Sequence, residues 1–177
     1  MAKRGYNRDT IRGGASDWDV SRPFSSYLRL LGALSLHPVR FFTVLPRVPD
    51  MRAPGLFLGF CGILTALFWF VAGGLFPALL ALLLPLPLSL AVAGLYYLGS
   101  AGGRYGYVVT WRATAYPLGF YLPLSAAPGL RWVAGVYVGV VLLSIGLTVV
   151  REISTVRAVL VSVLVTALLL FGLWWVV

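Results

Sequence analysis

Acidic residues are scarce in this sequence. There are five, at Asp9, Asp17, Asp19, Asp50 and Glu152, against fourteen lysine and arginine residues, giving a formal net charge of +9 over 177 residues. None of the five falls inside an apolar run. A proton-coupled pump keeps a carboxylate or histidine at membrane depth, and no such residue is available. Histidine and cysteine are scarcer still, with His37 and Cys61 alone. That excludes an intrachain disulfide and any ligand cluster for a metal, and no cofactor is expected. Cys61 reads as a small buried apolar side chain. No nucleophile and base can be paired from so few candidates. Asp17 and Asp19 read as solvated charges. The chain is therefore not expected to be an enzyme. Lysine is nearly absent too: apart from Lys3, every basic residue is arginine.

Apolar residues are abundant. Hydrophobic residues make up 60% of the chain and charged residues 11%, whereas an average soluble domain carries roughly 25% charged residues. No side chain from Ala53 to Gly103 is charged, and a span needs only about 20 residues. The runs do not alternate in polarity as barrel strands do. The expected fold is all-α, a polytopic helical membrane protein with five transmembrane helices and an N-terminal amphipathic interfacial helix. In a soluble protein the positive charge would point to nucleic acid. Here the arginines flank apolar runs, so anionic headgroups of the bilayer are the expected partner.

Residues 1–21 read as a flexible basic cytoplasmic tail. They lack the apolar core of a secretory signal. Residues 22–52 read as an interfacial segment. Proline in the first turn suits a helix opening at Ser21-Arg22-Pro23. Phe24, Tyr27, Leu28, Leu31 and Leu34 then recur at helical spacing, and Arg22, Arg29 and Arg40 are placed to meet lipid headgroups. The same stripe would also suit docking onto the span ends or onto a partner. His37-Pro38 ends this helix. Phe41 and Phe42 are expected inward and Arg40 outward.

Residues 53–177 read as the five-span domain. The first span, about 54–75, holds Gly55 and Gly59, and the fourth, about 131–150, holds Gly135 and Gly139. Both are small-xxx-small pairs suited to close helix packing. Pro77, Pro85 and Pro87 interrupt the apolar run after the first span, and the second is expected at about 86–105. The third, about 107–128, contains Arg112, Pro117 and Pro123, and is expected to be kinked or broken. Arg112 is expected to snorkel to the inner headgroups or to line a polar cleft. Ser154 or Thr155 can cap the fifth span, about 156–177, whose Trp174 and Trp175 suit an interfacial belt. With the N-terminus inside, every basic residue but Arg131 falls on the cytoplasmic side. That bias supports the count of five spans, N-terminus in and C-terminus out, in a plasma or inner membrane.

Gly102-Gly103-Arg104 with Gly106 lacks the ending of a phosphate loop and reads as a tight turn. This stretch, continuing through Tyr107, Thr110, Arg112, Ala115 and Tyr116, resembles the Gly-Gly entry into the third span of the Yip (Ypt-interacting protein) family. Gly146-Leu147 followed by Ile153-Ser154-Thr155 and Arg157-Ala158 resembles that family's link between spans four and five. The segment from His37 to Phe42 is similar to one preceding the first span in bacterial members. Two departures stand out. Pro117 follows Tyr116 directly, and Arg151-Glu152 stands where the family tends to have histidine and glycine. The resemblance implies a prokaryotic-type Yip member with five spans and a cytoplasmic N-terminus. The small-residue pairs, the interrupted third span and the basic amphipathic N-terminus point to a non-enzymatic scaffold, assembly or interaction protein, acting as a homo-oligomer or with another membrane protein, and the resemblance adds a relation to membrane organisation or trafficking. The alternative function is handling of a lipid or small solute, as a transporter, a channel or an accessory subunit of a transporter complex.

Overall fold

The computed structural model describes residues 18–19, 21–47 and 49–174, without the side chains of residues 128, 170 and 172–174. The tail up to residue 17 and the belt expected of Trp174 and Trp175 lie outside the described residues. Helix is the only regular structure among the described residues, with no strand among them. The helices are α1 (Pro23–Leu36), α2 (Pro38–Val44), α3 (Arg52–Gly73), α4 (Leu75–Leu83), α5 (Pro85–Gly99) and α6 (Tyr107–Ser125). Next come α7 (Pro128–Val136), a π-helical segment (Tyr137–Leu142), α8 (Leu143–Val150) and α9 (Thr155–Trp174).

Among the described residues, two helices are long and apolar enough to cross a membrane: α3, and the continuous run Gly129–Val150 built from α7, the π segment and α8. A third counts if α4 and α5, bent by 45° at their junction, form one span. Their outward side chains form an apolar surface that includes Leu67, Phe70 and Val71 on α3, Phe76 and Leu83 on α4, and Leu98 on α5. Leu164 and Leu168 extend it on α9. An exposed apolar patch this extensive marks a membrane or partner surface.

The reversal after α3 sits at Gly74, whose φ of 87° is open to glycine at no steric cost. The expected second span began only after Pro85, but α4 already runs back along α3. A Cβ on Gly62 would lie 3.2 Å from the Ala81 carbonyl and 3.6 Å from Pro85 Cγ. Pro85 opens α5, where a missing N–H costs little, so it bends this run without reversing it.

Helix α6 runs through Pro117 and Pro123 without a break, so of the kinked or broken span expected from them the break is absent. Its position offers a reason. It packs against α3, α5, α7 and α8, and none of its large apolar side chains is strongly exposed. Neighbours on every side hold a helix whose internal bonding is weakened. Gly119 lets α3 approach, since a Cβ there would meet the Phe57 ring. The irregular turn falls instead in the π segment. There a Cβ on Gly139 would collide with Thr166 of α9, and the Gly139 carbonyl accepts a hydrogen bond from the Tyr96 hydroxyl at 3.2 Å.

The N-terminal elements are docked. Leu30 and Leu34 of α1 and Phe41 and Phe42 of α2 are fully buried, while Arg40 is exposed. The apolar stripe expected on α1 is divided: Leu34 faces the bundle, together with Leu30 and Ser26, whereas Phe24 and Leu28 remain about two-thirds exposed. Trp18, assigned to the tail, is buried against Phe57 and Phe60, with ring centroids 5.4 and 5.2 Å away. Asp19 fixes that entry by donating its N–H to Ser26 Oγ at 2.9 Å.

Candidate functional site

The loop before α6 and the loop before α9 meet at one end of the bundle. Gly102 has φ 86°, in the left-handed region. The chain then folds so that Gly103 lies against Arg151: a Cβ there would be 2.8 Å from Nε, 2.9 Å from Cζ and 3.0 Å from the Arg151 carbonyl. The Arg104 N–H donates to that carbonyl at 3.2 Å. Arg151 is only 2% exposed. Its Nε donates to Ser100 Oγ at 3.1 Å and its Nη2 to the Ser100 carbonyl at 2.8 Å. The guanidinium also lies 4.8 Å from the centroid of the Tyr97 ring, a cation–π arrangement that offsets lost hydration. Burial pulls the pKa of Arg151 below its ordinary value, the Tyr97 phenol opposes that and Arg157 adds to it. An arginine so placed still carries its charge at neutral pH.

Glu152 completes the junction. Its carboxylate accepts from Arg47 Nη1 at 3.1 Å and from Arg104 Nη1 at 3.1 Å. Arg47 Nη1 also donates to the Tyr105 hydroxyl at 3.0 Å, and its Nη2 to the Val149 carbonyl at 3.2 Å. Arg47 and Arg104 lie over the Tyr105 ring at 5.2 and 5.7 Å from its centroid. Three separate segments are thereby tied together: the strip between α2 and α3, the 100–106 loop and the 151–154 loop. Among the described residues, Glu152 is the only non-glycine at positive φ, 55°. That conformation suits glycine. Each bridge is partly exposed and contributes at most about 1 kcal/mol. A carboxylate shared by two arginines makes a network, which is worth more than an isolated pair.

The structure brings Gly102, Gly103 and Arg104 into this junction and sets Gly106 at the start of α6, where its carbonyl accepts the Thr110 N–H at 3.2 Å. Ser154 precedes α9, with its carbonyl accepting the Ala158 N–H at 2.9 Å, and Arg157 is exposed on the first turn. Arg112, Tyr116 and Pro117 lie deeper, on α6. The Tyr116 ring packs on Phe41 and Phe57 at 5.6 and 5.2 Å between centroids. Arg112 is 1% exposed, so it does not snorkel to headgroups, and it is not among the residues lining the two cavities described below. Its helix is enclosed by neighbours, which leaves it no route to the surface. Of the glycine pairs, Gly139 makes a close contact within the chain, to α9. Gly55 lies an ordinary van der Waals distance from Trp111. Gly59 faces outward with open space beside it, and Gly135 lines a cavity. Arg22 and Arg29 are exposed like Arg40. No group of three or more His, Cys, Asp or Glu residues that could hold a metal occurs among the described residues.

The sequence reading missed Arg47, Ser100, Tyr105 and the roles of Arg151 and Glu152. One signal was present: Glu152 is the only acid after Asp50, in a region with six arginines. No family model, curated protein or solved structure matches the chain.

Proposed function

We propose that the chain is a five-span, non-enzymatic membrane protein of Yip type that serves as a scaffold or assembly partner for other membrane proteins. The spans are α3, the bent α4–α5 pair, α6, the α7–α8 run and α9. Helix α6 has 19 residues and α9 has 20, close to the length a span requires. The ion pairs that join Arg47, Arg104 and Glu152 support this count. With five spans all three fall on one face, and with the N-terminus inside that face is cytoplasmic.

One observation carries the interaction reading. The Glu152 junction braces its end of the bundle, where Arg157 is exposed, and the helices before α3 leave Arg22, Arg29 and Arg40 exposed beside the outward side chains of Phe24, Leu28, Leu36 and Val39. A rigid surface mixing arginine with large apolar groups suits contact with anionic headgroups and a protein partner. Purification from the native membrane in mild detergent tests it. We expect a homo-oligomer or a defined membrane-protein complex, weakened by Phe24→Ser with Leu28→Ser. A strict monomer with nothing bound contradicts the proposal.

A further inference from the structure

At the end of the bundle away from Glu152, a cavity of about 590 Å³ opens between α3, α4, α5, α6 and α7. Thr65, Trp69, Ala81 and Leu122 are among its walls, and Arg131 and Trp132 stand at its edge. A smaller chamber of about 170 Å³ lies deeper, toward Tyr96 and Gly139. Pro85, Leu88, Tyr121 and Leu122 line both, so the two adjoin at the bend between α4 and α5. Leu84, Leu88 and Trp132 are about half exposed, which leaves the larger cavity open to its surroundings. Arg131 is half-buried there, its Nε donating to the Ser125 carbonyl at 3.2 Å. No acid balances it. Among the described residues both ion pairs belong to Glu152, and the acids Asp19, Asp50 and Glu152 all precede α3 or lie at the far end of the bundle.

We propose that this cleft holds an acyl chain of an anionic membrane phospholipid, with the lipid phosphate at Arg131. The larger volume falls within the range of ligand sites, roughly 300–1,000 Å³. Apolar walls do not retain water, and an empty space forfeits the dispersion contacts of its lining. At this depth the abundant apolar filler is the lipid chain. Leaving the bilayer for the cleft gives that chain no hydrophobic gain, since lipid is already apolar. Selection therefore rests on shape and on the lone guanidinium, whose fork suits phosphate. Trp132 at the edge suits the headgroup level. This inference depends on the helices lying in a bilayer and not on the scaffold reading.

The test uses the full chain in nanodiscs of equal anionic and zwitterionic phospholipid, followed by mild-detergent extraction and native mass spectrometry of retained lipid. The wild type retains one anionic phospholipid, favoured about fivefold, as expected for one cation near a headgroup. Arg131→Gln brings the two lipids to parity. Ala81→Phe fills the cleft with Arg131 intact and lowers retention of both lipids. Retention of no lipid by the wild type overturns the proposal, as does a preference that survives Arg131→Gln. Unchanged retention in Ala81→Phe overturns it independently.

Discussion

Replacing Gly103 by alanine places a methyl group 2.8 Å from Arg151 Nε and 3.0 Å from the Arg151 carbonyl. Neither neighbour yields cheaply. The carbonyl is backbone and accepts the Arg104 N–H, and the guanidinium is held by two bonds to Ser100. Overpacking of this kind costs about 1–3 kcal/mol. Forcing the guanidinium off Ser100 adds about 1.5–3 kcal/mol for a hydrogen bond to a charged group in a buried place. We therefore expect Gly103→Ala to destabilise by about 3–5 kcal/mol and Gly103→Val by more. Arg104 is the control. Its side chain is 67% exposed and bridges a 39%-exposed Glu152, so Arg104→Gln should cost no more than about 1 kcal/mol. Thermal unfolding of both variants in one detergent, followed by loss of the monodisperse peak, measures the difference. Equal tolerance at the two positions would refute the close packing of the two loops.

Three further outcomes follow from the same geometry. Glu152→Gly relieves a left-handed residue worth about 1–3 kcal/mol while losing two partly exposed bridges, so its stability should stay within about 1 kcal/mol of wild type; Glu152→Ala keeps the strain and loses the bridges, and equal losses in the two would remove the strain argument. Gly139→Ala should destabilise by about 1–3 kcal/mol through its clash with Thr166, with partial rescue by Thr166→Ala in a thermal-shift series; no rescue would place the effect elsewhere. The Ser21 hydroxyl and N–H hold the Asp19 carboxyl below its ordinary value of 3.8, so its contribution is present above that pH and fades only as pH falls through the lower folded value. Acid titration of stability should accordingly show no difference between wild type and Asp19→Asn arising from this group's titration across pH 5–8; a difference that titrates within that window would contradict the assignment.

Much of the helix pattern was legible because proline, glycine and apolar period act locally. The bounds of α1, Pro23 to Leu36, follow from proline at its first turn and from His37-Pro38 after it. Phe41 and Phe42 inward with Arg40 outward likewise follow from helical period. What failed depended on neighbours. Pro117 and Pro123 suggest a break in α6, but burial on all sides keeps it whole. Pro77, Pro85 and Pro87 leave the turn open between residues 75 and 87, but Gly74 supplies it. The stripe on α1 includes Phe24 and Leu28, yet period alone cannot say which side of a broad apolar face meets protein. The junction was least legible, because Arg47, Arg104 and Glu152 are far apart in sequence and meet only through the fold. Gly102 and Gly103 were visible as a tight turn, but Arg151 as the reason for the second glycine was not.

Side-specific cysteine labelling tests the membrane arrangement most directly. In a Cys61→Ala background, single cysteines at Arg104 and at Leu130, which is exposed at the start of α7, are challenged with an impermeant thiol reagent from each side of sealed vesicles. The five-span arrangement predicts reaction at position 104 from the cytoplasmic side only and at position 130 from the outer side only. Reaction of both positions from the same side, or of position 104 from outside, would contradict it.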